Sequence, residues 1–267
     1  MFQSIYKRVG SKIFTILSFF MVIFVAAPLP GDTAKVLEGE SKFTKEFRMG
    51  DCTFKSEGQN SFFILKPGYQ LVLEGMEGEE MVRFTLSVLS DTKTISVPDI
   101  GEVTARVVEE REWADGKPIE FAKSYFAICE ETGDVYDFGD SVDIFNDDGT
   151  VSHDGTWLVG EPDEEGIAMP GIFMPGTFLL GSKYFQQLAD GLSMERVENV
   201  EMGMKMDTKA GTFESCVKVI ETNSIEDTLA TTTKIHCPGI GLVAEDDLML
   251  IKYGYNIVDE EGKISEK

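Results

Sequence analysis

Residues 81–89, Met-Val-Arg-Phe-Thr-Leu-Ser-Val-Leu, alternate apolar and polar side chains. Val82, Phe84, Leu86 and Val88 fall on one face of an extended chain, and Arg83, Thr85 and Ser87 on the other. That is the period of a half-buried strand. Outward from this stretch, Glu102–Val108 alternates less strictly, and Thr212–Ile220 is rich in strand formers. Turn signals separate such runs at Asp115-Gly116, Thr132-Gly133-Asp134, Asp147-Asp148-Gly149 and Asp154-Gly155. The expected fold is mainly β, an antiparallel curved sheet or open barrel built from meanders. The best helix candidate is short, Tyr184–Ala189. Lys66-Pro67-Gly68-Tyr69-Gln70-Leu71 returns as Met174-Pro175-Gly176-Thr177-Phe178-Leu179 at an offset of 108, the separation also of Cys129 from Cys237 and Gly133 from Gly241. Gly101 and Gly211 open runs ending in Val-Val-Glu and Val-Ile-Glu. Two copies of one meander, or chance likeness among β-rich stretches, account for this.

The chain divides into a leader (1–31), an N-terminal extension without periodicity (32–60), a β-rich domain (61–258) and an acidic tail (259–267). Lys7, Arg8 and Lys12 precede an apolar run of 15 residues, Ile13–Ala27. A membrane-spanning helix needs about 20, so the run fits a secretory signal better, with cleavage expected between Pro28 and Lys35. Export to the periplasm or beyond the cell follows. Removing the leader takes the net charge from −23 to about −26 by loss of its three cations. Such a surface repels nucleic acid.

Four cysteines in an exported chain permit two disulfides. Thr212–Ile220 and Thr231–Cys237 read as one hairpin turning within Asn223–Leu229. With the turn centred between Glu226 and Asp227, residues whose numbers sum to 453 face each other, and Cys216 with Cys237 is such a pair. The rival pairing is Cys129 with Cys237, equivalent positions in the repeat.

Several motifs together resemble an uncharacterised family of secreted, periplasmic bacterial β-rich proteins. They are Phe63–Gly75 with its Pro67-Gly68-Tyr69 start, Gly133–Gly139, Met169-Pro170-Gly171, Ala210-Gly211-Thr212-Phe213-Glu214-Ser215-Cys216 and Pro238-Gly239-Ile240-Gly241-Leu242-Val243. The resemblance spans roughly residues 61–247 and implies a curved sheet like that of lipoprotein carriers, with no established reaction. Ala105 stands where the family often has a cysteine.

Chemistry is sparse. His153 and His236 are the two histidines, and neither has a nucleophile at catalytic spacing. Asp143–Gly149 hints at a calcium loop but fails the EF-hand register at both ends, so it reads as a hairpin turn. No cofactor is expected. Met202, Met204 and Met206 would share one strand face; thioethers suit core packing, an apolar pocket or, least, Cu(I). Gly166–Leu180 is apolar and broken by two Pro-Gly steps. It is expected to cross an end of the sheet and lay Ile172, Phe173, Met174 and Phe178 against the concave face. Those four residues and the three methionines are the expected ligand contacts of a non-enzymatic binder of an apolar small molecule or lipid. The alternatives are a structural or interaction module docking on an envelope protein and, less favoured, a hydrolase.

Overall fold

The alternation at residues 81–89 is part of one long strand of an antiparallel sheet. The computed structural model describes residues 42–223, 231–259 and 262–264; the expected leader with its cleavage site, and the expected turn within 223–229 apart from Asn223, lie outside them. A single 3-10 turn, Met49–Asp51, precedes the short strands β1 (Phe54–Lys55), β2 (Gly58–Gln59) and β3 (Ile64–Leu65). A meander of long strands follows: β4 (Tyr69–Glu77), β5 (Glu80–Val97), β6 (Gly101–Ala114), β7 (Lys117–Cys129) and β8 (Val135–Phe145). The linking stretch holds β9 (Val151–Ser152), β10 (Trp157–Leu158), β11 (Met169–Met174), β12 (Lys183–Phe185) and β13 (Gln187–Leu188). A second meander completes the chain: β14 (Glu195–Thr208), β15 (Gly211–Asn223), β16 (Thr231–Cys237), β17 (Gly241–Glu245) and β18 (Leu248–Tyr255).

The main sheet runs β12-β14-β15-β16-β17-β18-β4-β5-β6-β7-β8-β11-β13. Its first and last members are successive pieces of one segment, separated by Gln186 alone. The sheet therefore curls almost into a closed barrel with one unsealed seam. Tyr184 faces Val197 of β14, whereas Gln187 faces Pro170 of β11. Gln186 spans the switch: its N–H donates to Glu195 O and its Nε2 to Phe173 O, each at 2.9 Å. Gly171 lets the seam close, because a Cβ there would lie 2.3 Å from Gln186 O.

Three expectations change. Tyr184–Ala189 is not helical. A segment this short cannot offset the cost of helix nucleation, and the strands on either side offer it backbone partners. Met169–Met174 does not merely cross the sheet end but pairs with β8 and β13, with a bulge between Ile172 and Met174. Pro170 stands at the end of both ladders, where β8 pairing begins only at Gly171 and β13 pairing stops, and a missing donor is tolerated there. The stretch from Thr44 to Lys55 is fastened to the body: Thr44 bridges Tyr184, β1 pairs with β7, and Cys52 is bonded to Cys129.

Turn chemistry agrees with the sequence. Asp115 and Gly116 have φ of 48° and 76°, the double positive of a tight hairpin turn. The β15–β16 ladder pairs Val217 with His236 and Glu221 with Thr232, so paired numbers sum to 453. Cys216 and Cys237 form the second disulfide, Cα atoms 4.1 Å apart. Gly101 opens β6 and Gly211 opens β15, while Cys129 ends β7 and Cys237 ends β16. The two meanders thus place the repeated residues at equivalent strand ends.

The large hydrophobic core lies inside the barrel, with Leu73, Phe126, Phe173, Val219 and Leu250 among its members. A second core lies outside β6–β8, where Phe138, Tyr125 and Ala105 are covered by Met49, Trp157 and Val159. Burial on both faces explains why β6–β8 lose clean alternation.

Candidate functional site

The ladders fix which side chains face inward. Across β5–β8 the inward rows read Val88, Val108, Ser124, Asp140; then Leu86, Glu110, Ala122, Val142; then Phe84, Glu112, Glu120, Ile144. On the opposite wall one row reads Asn199, Val219, Lys234, Glu245, Leu248, and the next Val197, Glu221, Thr232. The interior is thus amphipathic along its axis, apolar toward one end and acidic toward the other.

At the apolar end Phe63, Phe126 and Phe173 pack ring on ring, with centroids 4.5 to 5.6 Å apart. A small recess there is lined by Phe63, Tyr69, Leu71, Leu86, Phe173 and Leu242, and also by His236. His236 Nδ1 is buried without a partner. Burial, then Lys234, lowers its pKa to about 3, so the ring stays neutral. Beyond the Val217–His236 pair, the β14–β15 hairpin runs past the end of β16. Bulges bend it, and Ala210 N–H donates to Leu250 O at 3.4 Å.

At the acidic end Lys234 lies 2.5 Å from Glu221 Oε2 and 3.7 Å from Glu245 Oε1. Burial pulls its pKa down, but the attraction of Glu221 and Glu245 outweighs it and keeps the ammonium charged. Burial holds Glu110 and Glu112 well above the usual carboxylate range. It lifts Glu195 to about 8, with Glu221 adding to the rise, and Glu120 and Glu245 to about 7. Oxygens of Glu110, Glu112 and Glu195 and the Ser124 hydroxyl are buried without hydrogen-bond partners.

A polar lock stands beside the seam. Gln187 Nε2 donates to Asp137 Oδ2 and Asp140 Oδ2, each at 3.0 Å. Trp157 Nε1–H donates to Asp140 at 2.6 Å, and Ser193 O–H donates to Gln187 Oε1. These bonds tie the seam segment and the outer loop to β8.

Of the residues singled out from sequence, Phe173 lines the recess, while Met174 and Phe178 are buried in the inner core and Ile172 packs half-buried against both cores. Met204 and Met206 are half-buried on the hairpin, and Met202 is 50% exposed. The seven do not converge on one pocket. Asp143–Gly149 carries the β8–β9 turn, with Asp148 accepting from Thr150. His153 is exposed, its Nδ1 close to Asp143. The inward acids were missed, although Glu110 and Glu112 continue the phase of Val108 and so were legible as its face-mates.

No protein-family profile and no curated protein matches the sequence. Among solved structures, the chain is similar to a protein from Bacteroides fragilis designated as exported, with a YmcC-like fold. Identity is 13%, coverage 73% of this chain and 99% of that one, and the TM-score 0.36. It is also similar to a protein from Parabacteroides distasonis designated as a lipoprotein, at 11% identity, 74% and 100% coverage and a TM-score of 0.35. Similarity at this level carries no functional inference.

Proposed function

We propose that this is an exported, non-enzymatic binding protein that holds an apolar or lipid-like chain against the inner wall of its barrel. The observation that carries the reading is the small apolar recess at Phe63, Leu86 and Phe173, set in the inner face of the curled sheet. The leader and the two disulfides support a place outside the cytoplasm, in the periplasm or beyond. Phe173 is the contact singled out from sequence that the recess favours most; Met204 and Met206 stand on the hairpin that bends beside it.

Mass spectrometry of solvent extracts from purified mature protein tests for a bound lipid. Titration of delipidated protein with a fluorescent fatty alcohol follows, for wild type, Phe173→Leu and Phe173→Asp, each first shown to be folded. Saturable binding kept by Phe173→Leu and lost by Phe173→Asp supports the reading; no saturable binding by wild type refutes it. A second reading, an interaction module of the cell envelope, rests on adjacent Leu179 and Leu180, 61% and 62% exposed. A stable envelope protein cross-linked at these leucines, with no ligand in the barrel, would favour it.

A further inference from the structure

The unsealed seam of the barrel is crossed from outside by residues 43–54. A strand has two hydrogen-bonding edges. β14 takes one edge of β12 and Thr44 takes the other. Thr44 N–H donates to Lys183 O at 2.9 Å, and Phe185 N–H donates to Thr44 O at 3.0 Å. The Phe43 ring stands edge-on to Phe185, centroids 5.9 Å apart, with Arg196 and Lys183 at 5.0 and 5.6 Å from the Phe43 centroid. The segment then passes over β8, where Phe47 and Phe54 meet Tyr136 and Met49 enters the outer core. It ends on β7, where Cys52 is bonded to Cys129 and Phe54 pairs with Cys129. β12 is the first member of the main sheet, and β7 and β8 lie close to its last. The segment therefore straps the two margins of the seam together.

The two ends of the strap are held differently. On β12 it has two backbone hydrogen bonds and the ring contact. On β7 the hold is covalent, backed by the two-residue β1 ladder and by Glu131, which accepts from Thr53 N–H and Oγ1–H at 2.7 and 2.6 Å. The disulfide keeps Thr44 at high local concentration beside β12. Without it, two backbone hydrogen bonds must offset the ordering of the whole strap. Phe185 couples strap to seam. It is fully buried, and its N–H is satisfied by Thr44 O. A buried N–H left unpaired is costly, so Thr44 departs only as water reaches that edge of β12.

We propose that this strap is a redox-fastened clasp: with Cys52 and Cys129 as thiols β12 parts from it and the seam loosens, and formation of the disulfide shuts the seam. Cys52 is half-buried, whereas Cys129, Cys216 and Cys237 are fully buried. Cys52 Sγ therefore attacks the oxidant, a protein disulfide or oxidised glutathione, and Cys129 Sγ then displaces the mixed disulfide. Two protons and two electrons leave the cysteines, and the oxidant's disulfide becomes two thiols. Thiols persist in the reducing cytoplasm and pair outside it, so the barrel of an exported chain shuts after export. The clasp acts whatever the barrel holds.

Hydrogen exchange of the mature protein tests this, read at residues 183–188 for the seam and at β4 and β5 for the body. Three states are compared: oxidised wild type; wild type after brief dithiothreitol treatment, with alkylation sites showing Cys52 and Cys129 reduced and Cys216–Cys237 intact; and Cys52→Ser with Cys129→Ser. Exchange at the seam, at Phe185 above all, is expected to be at least about tenfold faster in both altered states, one hydrogen bond's worth of protection. β4 and β5 are expected to stay unchanged, and reoxidation with glutathione disulfide to restore the seam. Unchanged seam exchange shows that the strap holds without the bond, and a rise shared by β4 and β5 shows that the bond supports the whole fold; either result overturns the clasp. Reoxidation that leaves the seam fast overturns it too. If the double variant does not fold, the reduced wild type decides alone.

Discussion

Replacing Lys234 with methionine tests how the acidic end is held together. The ammonium lies 2.5 Å from Glu221 Oε2, with 1% of its side chain and 4% of that of Glu221 exposed. Deleting one partner of such a buried pair costs about 3–5 kcal/mol, because the other charge stays behind. Proton uptake limits that cost. Neutralising an ordinary glutamate at pH 7 requires about 3.7 kcal/mol, from about 2.7 pH units at about 1.36 kcal/mol each, and at pH 5 about 1 kcal/mol. Lys234→Met should therefore lose about 3–4 kcal/mol at pH 7 and about 1 kcal/mol at pH 5. The sign follows from proton counting. The folded variant holds a proton that the unfolded chain releases above its ordinary glutamate pKa, so its stability falls as pH rises through that range. Urea denaturation followed by circular dichroism, with wild type alongside at each pH, measures the difference. A loss below about 1 kcal/mol at pH 7, or equal losses at both pH values, would show that Lys234 does not neutralise buried acid.

The remaining expectations concern the seam, the anchor and the wild-type pH response. Gly171→Ala drives a methyl to 2.3 Å from Gln186 O, and should cost about 1–3 kcal/mol and lower the melting temperature; an unchanged melt would mean that the seam is free to widen. Cys52→Ser with Cys129→Ser opens a link across 77 residues and should cost about 2–4 kcal/mol, with faster proteolysis before residue 60; intact resistance would show that β1 pairing suffices. Glu195, at about 8, and Glu120 and Glu245, at about 7, have folded values raised chiefly by burial. Their stabilising contribution is present in acid and is lost as pH rises through about 7–8, so wild-type denaturation midpoints should fall between pH 5 and 8. A midpoint that rises over that range would show these carboxyls to be solvated.

The strands, the turns and one disulfide register were determined by sequence alone, because each depends on near neighbours. Val82, Phe84, Leu86 and Val88 declare a strand face by their spacing, and Asp115-Gly116 declares a turn by the backbone angles it tolerates. The register that joins Cys216 to Cys237 followed from counting back from a turn. Closure of the barrel did not, because it depends on Gln186 bridging β11 and β14 at opposite ends of the sheet, and six residues beginning Tyr184-Phe185 read equally as a turn of helix. The acidic interior was hidden for a similar reason. Alternation separates two faces of a strand without saying which one water reaches, and acids on either face read by default as solvent-facing. Only the curl of the sheet turned Glu110, Glu112 and Glu195 inward, and with that the polar half of the candidate site.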